Sequence, residues 1–402
     1  MRLLFVPLPF PTHYFPTAGL AWAARLAGHD VRVATGADVA PVVDASGVPV
    51  VEVNTRPELI ADSSRNRKWL ELEQRSPGEG LLGALVSGPI DNYARVAAAM
   101  ADDLIALGRR WKPDLVVSDP LAYAGFLTAD VLGVPAVRHL WGVDSTRHFR
   151  LPGSGFDASV PSEEMPWSAI PWPDRLTGLF AEHGATPRDD LAVATVDPCP
   201  ESLQYPGASG RLPVRYTPYN GAGVIPDWVL DEPARPRVAL TWGLASTATL
   251  GDEFFGLPRI IDAIAPLDIE VVVAISPADR SRLGPLPPNV RAASVPLHAL
   301  LPTCSAIVHH GGSGTLFTAA CYGVPQLTLA LMHEHKTAAS RFARQGSGIL
   351  LGEDETAPET IRMRLDELLT GDPTRKAAAD LATEIATQPS PPEVAEALTH
   401  LP

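Results

Sequence analysis

Histidine, glycine and hydroxyl side chains are concentrated in one short stretch, His309-His310-Gly311-Gly312-Ser313-Gly314-Thr315. The stretch follows an apolar run typical of a strand and opens a predicted helix. Glycines let the backbone approach a ligand closely, and the first N–H groups of a helix lack partners and carry the positive end of its dipole. We therefore predict that this turn binds a phosphate group, with a plain tight turn as the alternative.

Three common phosphate or nucleophile motifs are missing from the sequence. No G-x-G-x-x-G follows the first predicted strand, and no G-x-x-x-x-G-K-[ST] occurs, which argues against a dinucleotide fingerprint and excludes a P-loop. The G-x-S-x-G elbow of a hydrolase fails because Thr315 stands where its second glycine belongs. The phosphate prediction therefore depends on backbone N–H groups, helped by hydroxyl and imidazole donors.

Two further polar residues follow predicted parallel strands. His13 lies in a Pro-rich loop after the apolar run Leu3–Val6, and Asp119 follows the run Asp114–Ser118. The carboxyl ends of parallel strands meet at one sheet edge, so the two side chains could meet there. A carboxylate that accepts a hydrogen bond from an imidazole fixes its tautomer and raises its basicity, which would make His13 a general base. The alternatives are a turn histidine without a role and an aspartate that caps the next helix.

A fourth polar cluster, His333-Glu334-His335-Lys336, follows the predicted strand Gln326–Leu329. His333 and His335 would point the same way only in an extended segment, and no third ligand is near in the sequence. Because a metal site needs at least three well-placed ligands, we expect contact with a polar substrate instead.

Strand and helix signals alternate in both halves of the chain. The first half includes a helix pattern at Thr17–Ala27 and a strand pattern at Val31–Thr35, and the second half restarts at Arg237–Trp242. This alternation predicts an α/β protein with two doubly wound parallel-sheet domains that face each other across a cleft. We predict an N-terminal domain at 1–215, a Pro-rich linker at 216–236, a C-terminal domain at 237–385 and a tail at 386–402 that packs back on the first domain.

The overall composition is that of a globular protein without a nucleic-acid partner. The 402 residues carry a net charge of −14 and scattered arginines, which argues against binding to nucleic acid or a membrane surface. The three cysteines form no C-x-x-C pair, which indicates a reducing compartment and no thiolate metal site. No apolar run reaches about 18 residues and the first residues lack a signal-peptide pattern, so we expect a cytoplasmic protein without membrane insertion.

Four groups of residues occur in an order and at a spacing that span most of the chain. They are Thr12–Pro16 with Ala21–Val31, Val117–Leu121 with Gly133–Val137, Val295–Pro302 through His309–Thr315 to Gly323–Gln326, and Glu334-His335. In these groups the chain resembles the family 1 nucleotide-sugar-dependent glycosyltransferases of the GT-B fold. The resemblance is greatest to actinomycete enzymes that glycosylate antibiotic natural products such as macrolides and aromatic polyketides.

The resemblance implies a role for each matching residue. His13 would be the general base and Asp119 its carboxylate partner. The donor-binding residues would be Gly243, Val295, Leu297, His310, Gly312, Ser313, Gly314, Thr315, Glu334 and His335. Among these, His310 and residues 313–315 would hold the diphosphate, Val295 and Leu297 would border the nucleobase, and Glu334 and His335 would contact the sugar. His335 stands where the family usually has glutamine, so we expect a thymidine-diphosphate-linked deoxysugar in place of a glucose-type donor.

The residues and the resemblance together predict an inverting, metal-independent glycosyltransferase. It would use a thymidine-diphosphate sugar as co-substrate, no cofactor, and a hydrophobic aglycone as acceptor, attacked through a hydroxyl group or a carbon. A sugar-nucleotide epimerase or hydrolase on the same scaffold is one alternative, and a non-catalytic auxiliary protein of the same fold is another. A homodimer and a separate helper protein both remain open as partners.

Aromatic side chains in two N-terminal segments are candidates for the acceptor pocket. We expect Trp69, Trp141 and Phe149 to contact the acceptor, with Phe156, Trp167 and Trp172 as further aromatic surface. Core packing explains each of them equally well.

Overall fold

The computed structural model describes residues 1–56, 88, 90–155, 169–206, 210–243, 255–330 and 332–402. The chain divides into two compact units: unit 1 is Met1–Arg215 with Pro389–Pro402, and unit 2 is Tyr216–Gln388. The predicted linker at 216–236 is therefore part of unit 2. The chain leaves unit 2 after Gln388, slightly later than the predicted end at residue 385, and its last residues belong to unit 1.

Parallel strands form the centre of unit 1. They are β1 (Arg2–Val6), β2 (Asp30–Thr35), β3 (Val50–Glu52), β4 (Leu115–Ser118), β5 (Ala136–His139), β6 (Ala194–Asp197) and β7 (Arg211–Pro213). Their order in the seven-stranded sheet is β3-β2-β1-β4-β5-β6-β7. The strand order reverses direction between β1 and β4, which are neighbours in the sheet. These two strands pair in register from Leu3↔Leu115 to Val6↔Ser118. Such a switch point leaves a crevice at the carboxyl ends of the two strands.

Helices connect the strands of unit 1. They are α1 (Pro11–Leu26), α2 (Ala40–Asp44), α3 (Asp91–Trp111), α4 (Tyr123–Leu132), α5 (Ser145–His148) and α6 (Asp174–Glu182). Two strands and one helix of this unit, β6, β7 and α6, lie where the sequence pattern is weak and were not predicted. Both strands are short, so their local signal is small, and they form because β5 offers β6 a parallel partner.

Unit 2 is built in the same way. Its strands are β8 (Arg237–Thr241), β9 (Glu270–Ala274), β10 (Val290–Ala293), β11 (Ala306–His309), β12 (Gln326–Thr328) and β13 (Gly348–Leu350). The six-stranded parallel sheet has the order β10-β9-β8-β11-β12-β13. Its switch point lies between β8 and β11, which pair from Ala306↔Val238 to His309↔Thr241. The predicted doubly wound α/β architecture is thus present in both units.

The helices of unit 2 are α7 (Leu257–Ile264), α8 (Pro277–Arg280), α9 (Leu297–Leu300), α10 (Ser313–Cys321), α11 (His333–Gln345), α12 (Pro358–Thr370) and α13 (Asp372–Thr387). The last helix, α14 (Pro391–Ala397), belongs to unit 1 and packs against α1. In the described part of the chain, no helix has the length and apolar character needed to cross a membrane.

Alternation along a central strand explains why both faces of the unit 2 sheet are covered. Val238 and Leu240 of β8 belong to one apolar cluster, which includes residues of α7 and α12. Ala239, between them, belongs to a second cluster, which includes Leu300 of α9 and Val295 just before it. Successive side chains of a strand point to opposite faces, so a continuously apolar strand requires helices on both sides.

The segment that was predicted as a linker is packed in unit 2 through aromatic side chains. The Tyr216 ring lies 5.5 Å from that of Phe317 in α10, and the guanidinium of Arg291 lies 4.5 Å from the centre of the Trp228 ring. Proline and glycine made this segment resemble a connection, but these contacts with unit 2 fix its place.

Candidate active site

His13 lies in the first turn of α1 and not in a loop before the helix. The helix begins at Pro11, and Pro16 lies inside it, whereas the sequence pattern predicts a start at Thr17. Pro11 is compatible with the first position of a helix, since the N–H groups there have no partner within the helix. Tyr14 and Phe15 are buried and anchor this turn. His13 is thereby held close to the carboxyl end of β1.

The His13 imidazole and the Asp119 carboxylate meet at the switch point of unit 1. Nδ1 of His13 donates a hydrogen bond to Oδ2 of Asp119 at 2.7 Å, and the carboxylate is buried. The other oxygen, Oδ1, accepts the N–H of Leu121 at 2.8 Å. Asp119 therefore holds the imidazole and also fixes the turn after β4. Because Nδ1 carries the shared proton, Nε2 is the basic nitrogen.

Trp141, one of the aromatic residues proposed for the acceptor, packs beside this pair. Its ring centroid is 4.8 Å from that of His13. Phe149 is buried against His148, with ring centroids 4.9 Å apart. Trp172 packs edge-on against Tyr123 and Phe180, which supports the core-packing explanation for it. The other three, Trp69, Phe156 and Trp167, lie outside the described residues.

The glycine-rich turn of unit 2 follows β11 and opens α10, as predicted. Gly312 is the residue before the helix, with extended dihedral angles, and Ser313 is its first helical residue. Gly311 has φ +93°, which favours glycine, and a Cβ there would lie 3.1 Å from Cβ of His335. Ser313 and Gly314 are half-buried and Thr315 is buried at the start of the helix. This is the geometry of an anion site at a helix N-terminus.

His310 fills a slot between two glycines. A Cβ at Gly243 would lie 2.4 Å from its Cε1, and a Cβ at Gly312 would lie 2.6 Å from its Nε2. Burial, together with neighbouring His335 and His309, holds the pKa of His310 well below its ordinary value, so the ring is neutral. Its Nδ1 atom is buried and has no hydrogen-bond partner in the described part of the structure.

His309, the residue before His310, has a role that the sequence analysis did not assign. Its Nδ1 accepts the N–H of Gly311 at 3.0 Å, and its Nε2–H donates to Oε1 of Gln326 at 3.1 Å. Burial lowers the pKa of His309 to about 3. Through these two hydrogen bonds the neutral His309 ring holds the glycine-rich turn against β12. A histidine that ends an apolar strand just before a glycine pair is the sequence signal that could have pointed to this role.

Glu334 and His335 lie in the first turn of α11, which begins at His333. His335 is half-buried and its ring lies 5.1 Å from that of His310, so it packs into the site and does not simply face solvent. Burial lowers the pKa of His335 to about 4, against the opposing effect of a hydrogen bond to the His310 backbone. Helical geometry separates His333 from His335, and the described residues contain no cluster of three metal-binding side chains.

Val295 and Leu297, which were predicted to border the nucleobase, lie at the start of α9. Val295 is buried, and Leu297 packs against the same apolar cluster. Within unit 2, the donor-site candidates thus occupy the carboxyl ends of β8 and β11, the start of α9 and the start of α11.

Comparison with known proteins identifies the family. The N-terminal domain model of the erythromycin biosynthesis protein CIII-like family matches residues 22–243, and its C-terminal domain model matches residues 258–401. The L-demethylnoviosyl transferase of Streptomyces niveus is 39% identical, with 99% of this chain and 97% of that protein covered. The 10-deoxymethynolide desosaminyltransferase of Streptomyces venezuelae is 33% identical, with 100% of this chain and 97% of that protein covered.

Solved structures agree with this assignment over the full chain. The glycosyltransferase VinC in complex with dTDP has a TM-score of 0.81 at 31% identity, covering 100% of this chain and 99% of its own. The spinosyn rhamnosyltransferase SpnG complexed with spinosyn aglycone has a TM-score of 0.80 at 28% identity, with both chains fully covered. The chain therefore belongs to the erythromycin biosynthesis protein CIII-like family and is a glycosyltransferase with the GT-B fold.

Proposed function

We propose that this glycosyltransferase moves a deoxysugar from thymidine diphosphate to a hydroxyl group of a polyketide-type aglycone in antibiotic biosynthesis. The names of its relatives support a deoxysugar, since they describe a desosaminyl and an L-demethylnoviosyl transferase. The structural relatives support the other two ligands, because VinC holds dTDP and SpnG holds an aglycone.

The observation that carries the proposal is the 2.7 Å hydrogen bond between His13 and Asp119. An aglycone hydroxyl is a weak nucleophile until a base removes its proton. In the proposed step, Nε2 of His13 takes that proton while the hydroxyl oxygen forms a bond to the anomeric carbon. The bond from that carbon to the diphosphate oxygen breaks, and its electron pair leaves with dTDP. Attack opposite the leaving group inverts the configuration, and the Asp119 carboxylate stabilises the imidazolium that forms.

The leaving diphosphate would be stabilised at the glycine-rich turn of unit 2. The N-terminal N–H groups of α10 and an N–H of the neutral His310 ring are donors for its developing negative charge. On this basis we propose that the reaction needs no metal ion and no cofactor. Dialysis against EDTA should leave the rate unchanged. Loss of activity with EDTA and recovery with a divalent ion would contradict the metal-free mechanism.

Replacement of the base tests the central step. His13→Ala should lower kcat by roughly 10²–10⁴, the usual contribution of a general base, and leave dTDP binding measured by calorimetry unchanged. Asp119→Asn should lower kcat less, because the imidazole is retained but less well held. His183 offers a matched control, since it forms a looser pair with the exposed Asp102 at 3.7 Å. His183→Ala should keep full activity, and an unchanged rate for His13→Ala would overturn the assignment.

The same assay without an acceptor tests the two alternatives. A sugar-nucleotide hydrolase or epimerase would release free nucleotide or convert the donor when no aglycone is present. A non-catalytic auxiliary protein would turn over neither donor nor acceptor, whereas the proposed transferase requires both.

A further inference from the structure

Asn220 lies in the segment at 216–236, which packs along unit 2. A Cβ at Gly223 would lie 2.6 Å from Cγ of Pro296, just before α9. At the other end, the Tyr216 ring lies beside Phe317 of α10. The segment therefore runs past the start of α9 and along α10, the helices assigned to the nucleobase and to the diphosphate. Asn220 lies between these contacts in the sequence.

The Asn220 side chain connects the two helices through hydrogen bonds. Its Oδ1 accepts the backbone N–H of His298 in α9 at 3.0 Å, and Nδ1 of the His298 ring lies 3.3 Å from the same oxygen. Its Nδ2 donates to Oγ1 of Thr318 in α10 at 3.0 Å. A backbone N–H can only donate, so the amide oxygen must face His298 and the orientation of the amide is determined.

Thr318 extends this connection to the first turn of α10. Its hydroxyl donates to the carbonyl oxygen of Gly314 at 2.6 Å, and the residue is fully buried. Because the hydroxyl proton is used at Gly314, the oxygen is left to accept from Asn220. Hydrogen bonds that run in one direction in this way strengthen one another. A continuous path thus joins the backbone at His298 to Gly314 in the glycine-rich turn.

We propose that Asn220 is a positioning residue that sets the spacing between the nucleobase half and the diphosphate half of the donor site. The proposal depends on the proposed function, because it requires a nucleoside diphosphate as ligand. The base and the diphosphate of such a ligand are covalently joined at a limited range of distances. Both halves bind together with full affinity only if the protein holds their sites at a matching separation.

A comparison of the whole ligand with its fragments distinguishes spacing from local damage. In Asn220→Ala and in Thr318→Val, the affinity for dTDP measured by calorimetry should fall about tenfold, the loss expected for a hydrogen bond of about 1.4 kcal/mol. The affinities for thymidine and for inorganic pyrophosphate should change by less than about twofold, because each fragment uses only one half of the site. Thr318→Ser keeps the hydroxyl and should retain the dTDP affinity of the wild type.

Asn289 provides the matched control, because its side chain also joins two backbone segments of unit 2. Its Nδ2 donates to the carbonyl oxygens of Ala265 and Ile269 at 3.0 and 3.1 Å. Asn289→Ala should lower the melting temperature without a selective loss of dTDP affinity. If Asn220→Ala does not fold, the pair Thr318→Val and Thr318→Ser decides the question.

Two results would overturn the role of Asn220. One is an unchanged dTDP affinity in the Asn220→Ala and Thr318→Val variants, and the other is an equal loss for dTDP and for both fragments. Failure of the wild-type protein to bind dTDP would instead contradict the proposed function, so the two failures are distinguishable.

Discussion

Two glycines at the proposed donor site are required by a neighbouring side chain. Gly312 has φ −60° and ψ 135°, which any residue can adopt, but a Cβ there would lie 2.6 Å from Nε2 of His310. A Cβ at Gly243 would lie 2.4 Å from Cε1 of His310, and Gly243 also has φ +77°, which favours glycine. The His310 ring therefore keeps its place only while both positions lack a side chain.

Gly312→Ala tests this requirement, because its backbone needs no adjustment. The added methyl group should displace the His310 ring and weaken dTDP binding, with a loss of about 1–3 kcal/mol in the free energy of unfolding from overpacking. Calorimetry with dTDP and thermal unfolding measure the two effects. Gly178→Ala is the control, since that exposed helical glycine has open space around it and alanine there should stabilise the protein. Unchanged dTDP binding in Gly312→Ala would show that the ring position is unimportant.

His335 is the residue at which we expect sugar selectivity to be determined. It is neutral near pH 7, because its pKa is lowered to about 4. Its one N–H is used by the His310 backbone, so the other ring nitrogen is left as an acceptor for a ligand, whereas a ligand finds no free donor on the ring. A glutamine would offer both kinds of atom in one amide plane. A site that hydrogen-bonds hydroxyl groups discriminates strongly, because a mismatch leaves polar groups unpaired.

His335→Gln should therefore shift the preference from thymidine-linked deoxysugars toward hexoses. The measurement is kcat/KM over a panel of thymidine- and uridine-linked sugars for both proteins. Exposed His400→Gln, at the far end of the chain, should leave the preference unchanged. A wild-type preference for UDP-glucose over every deoxysugar tested would contradict the expected donor.

At the scale of elements, the end of β11 is tied to β12 and to the turn by one buried histidine. His309 accepts the Gly311 N–H and donates to Gln326, whose amide in turn donates to the carbonyl of Leu316 at 3.1 Å. Protonation of His309 would convert its acceptor nitrogen into a donor facing Gly311. The turn is therefore compatible only with the neutral ring.

This arrangement predicts that stability falls in mild acid. An unfolded histidine binds a proton near pH 6.5, whereas the pKa of His309 in the folded protein is about 3. Between these values the unfolded state binds more protons, so the free energy of unfolding falls as pH falls, by about 1.4 kcal/mol per pH unit for each such histidine. Unfolding measured from pH 7 to pH 4 should show the decline. His309→Asn keeps an acceptor near Gly311 and should lessen this decline in the free energy of unfolding by about 1.4 kcal/mol per pH unit.

At the scale of the whole molecule, residues 389–402 belong to the same unit as His13, the proposed base. After Gln388 the chain returns to unit 1, where Arg215 donates its N–H to the carbonyl of Pro389 at 2.7 Å. Ser390 and Glu393 form a capping box at the start of α14, and α14 packs against α1, the helix of His13. The last residues therefore pack within unit 1, the unit that carries the proposed base.

Leu398→Ala, at a buried position just after α14, should destabilise unit 1 selectively. A large-to-small change in a core costs about 2–5 kcal/mol of the free energy of unfolding. The melting transition should move to lower temperature while calorimetry shows unchanged dTDP affinity at 20 °C or below, where the protein remains folded. Glu396→Gln, an exposed change in the same helix, is the control. A matching loss of dTDP affinity in Leu398→Ala would contradict the assignment of dTDP binding to unit 2.

Local patterns in the chain were sufficient for the doubly wound α/β class, most strand positions and the glycine-rich turn. Continuous apolar runs such as Leu115–Ser118 and Ala306–His309 can only be buried on both faces, and glycines before an apolar helix mark a strand-to-helix turn. Such patterns are local in the sequence, so they can be recognised without knowledge of which elements pack together. The prolines around His13 favoured a loop, although Pro11 begins α1 and Pro16 lies inside it.

Contacts between residues that are far apart in the sequence depend on the tertiary structure. His13 and Asp119 are 106 positions apart, and they meet because β1 and β4 are neighbours at a switch point. Glycine is required at 243 and 312 because the His310 ring approaches both positions. The proposed role of Asn220 depends on His298 and Thr318, which are 78 and 98 positions away in the sequence. Contacts of this kind arise only when the strand order is established, and no local property of the residues encodes that order.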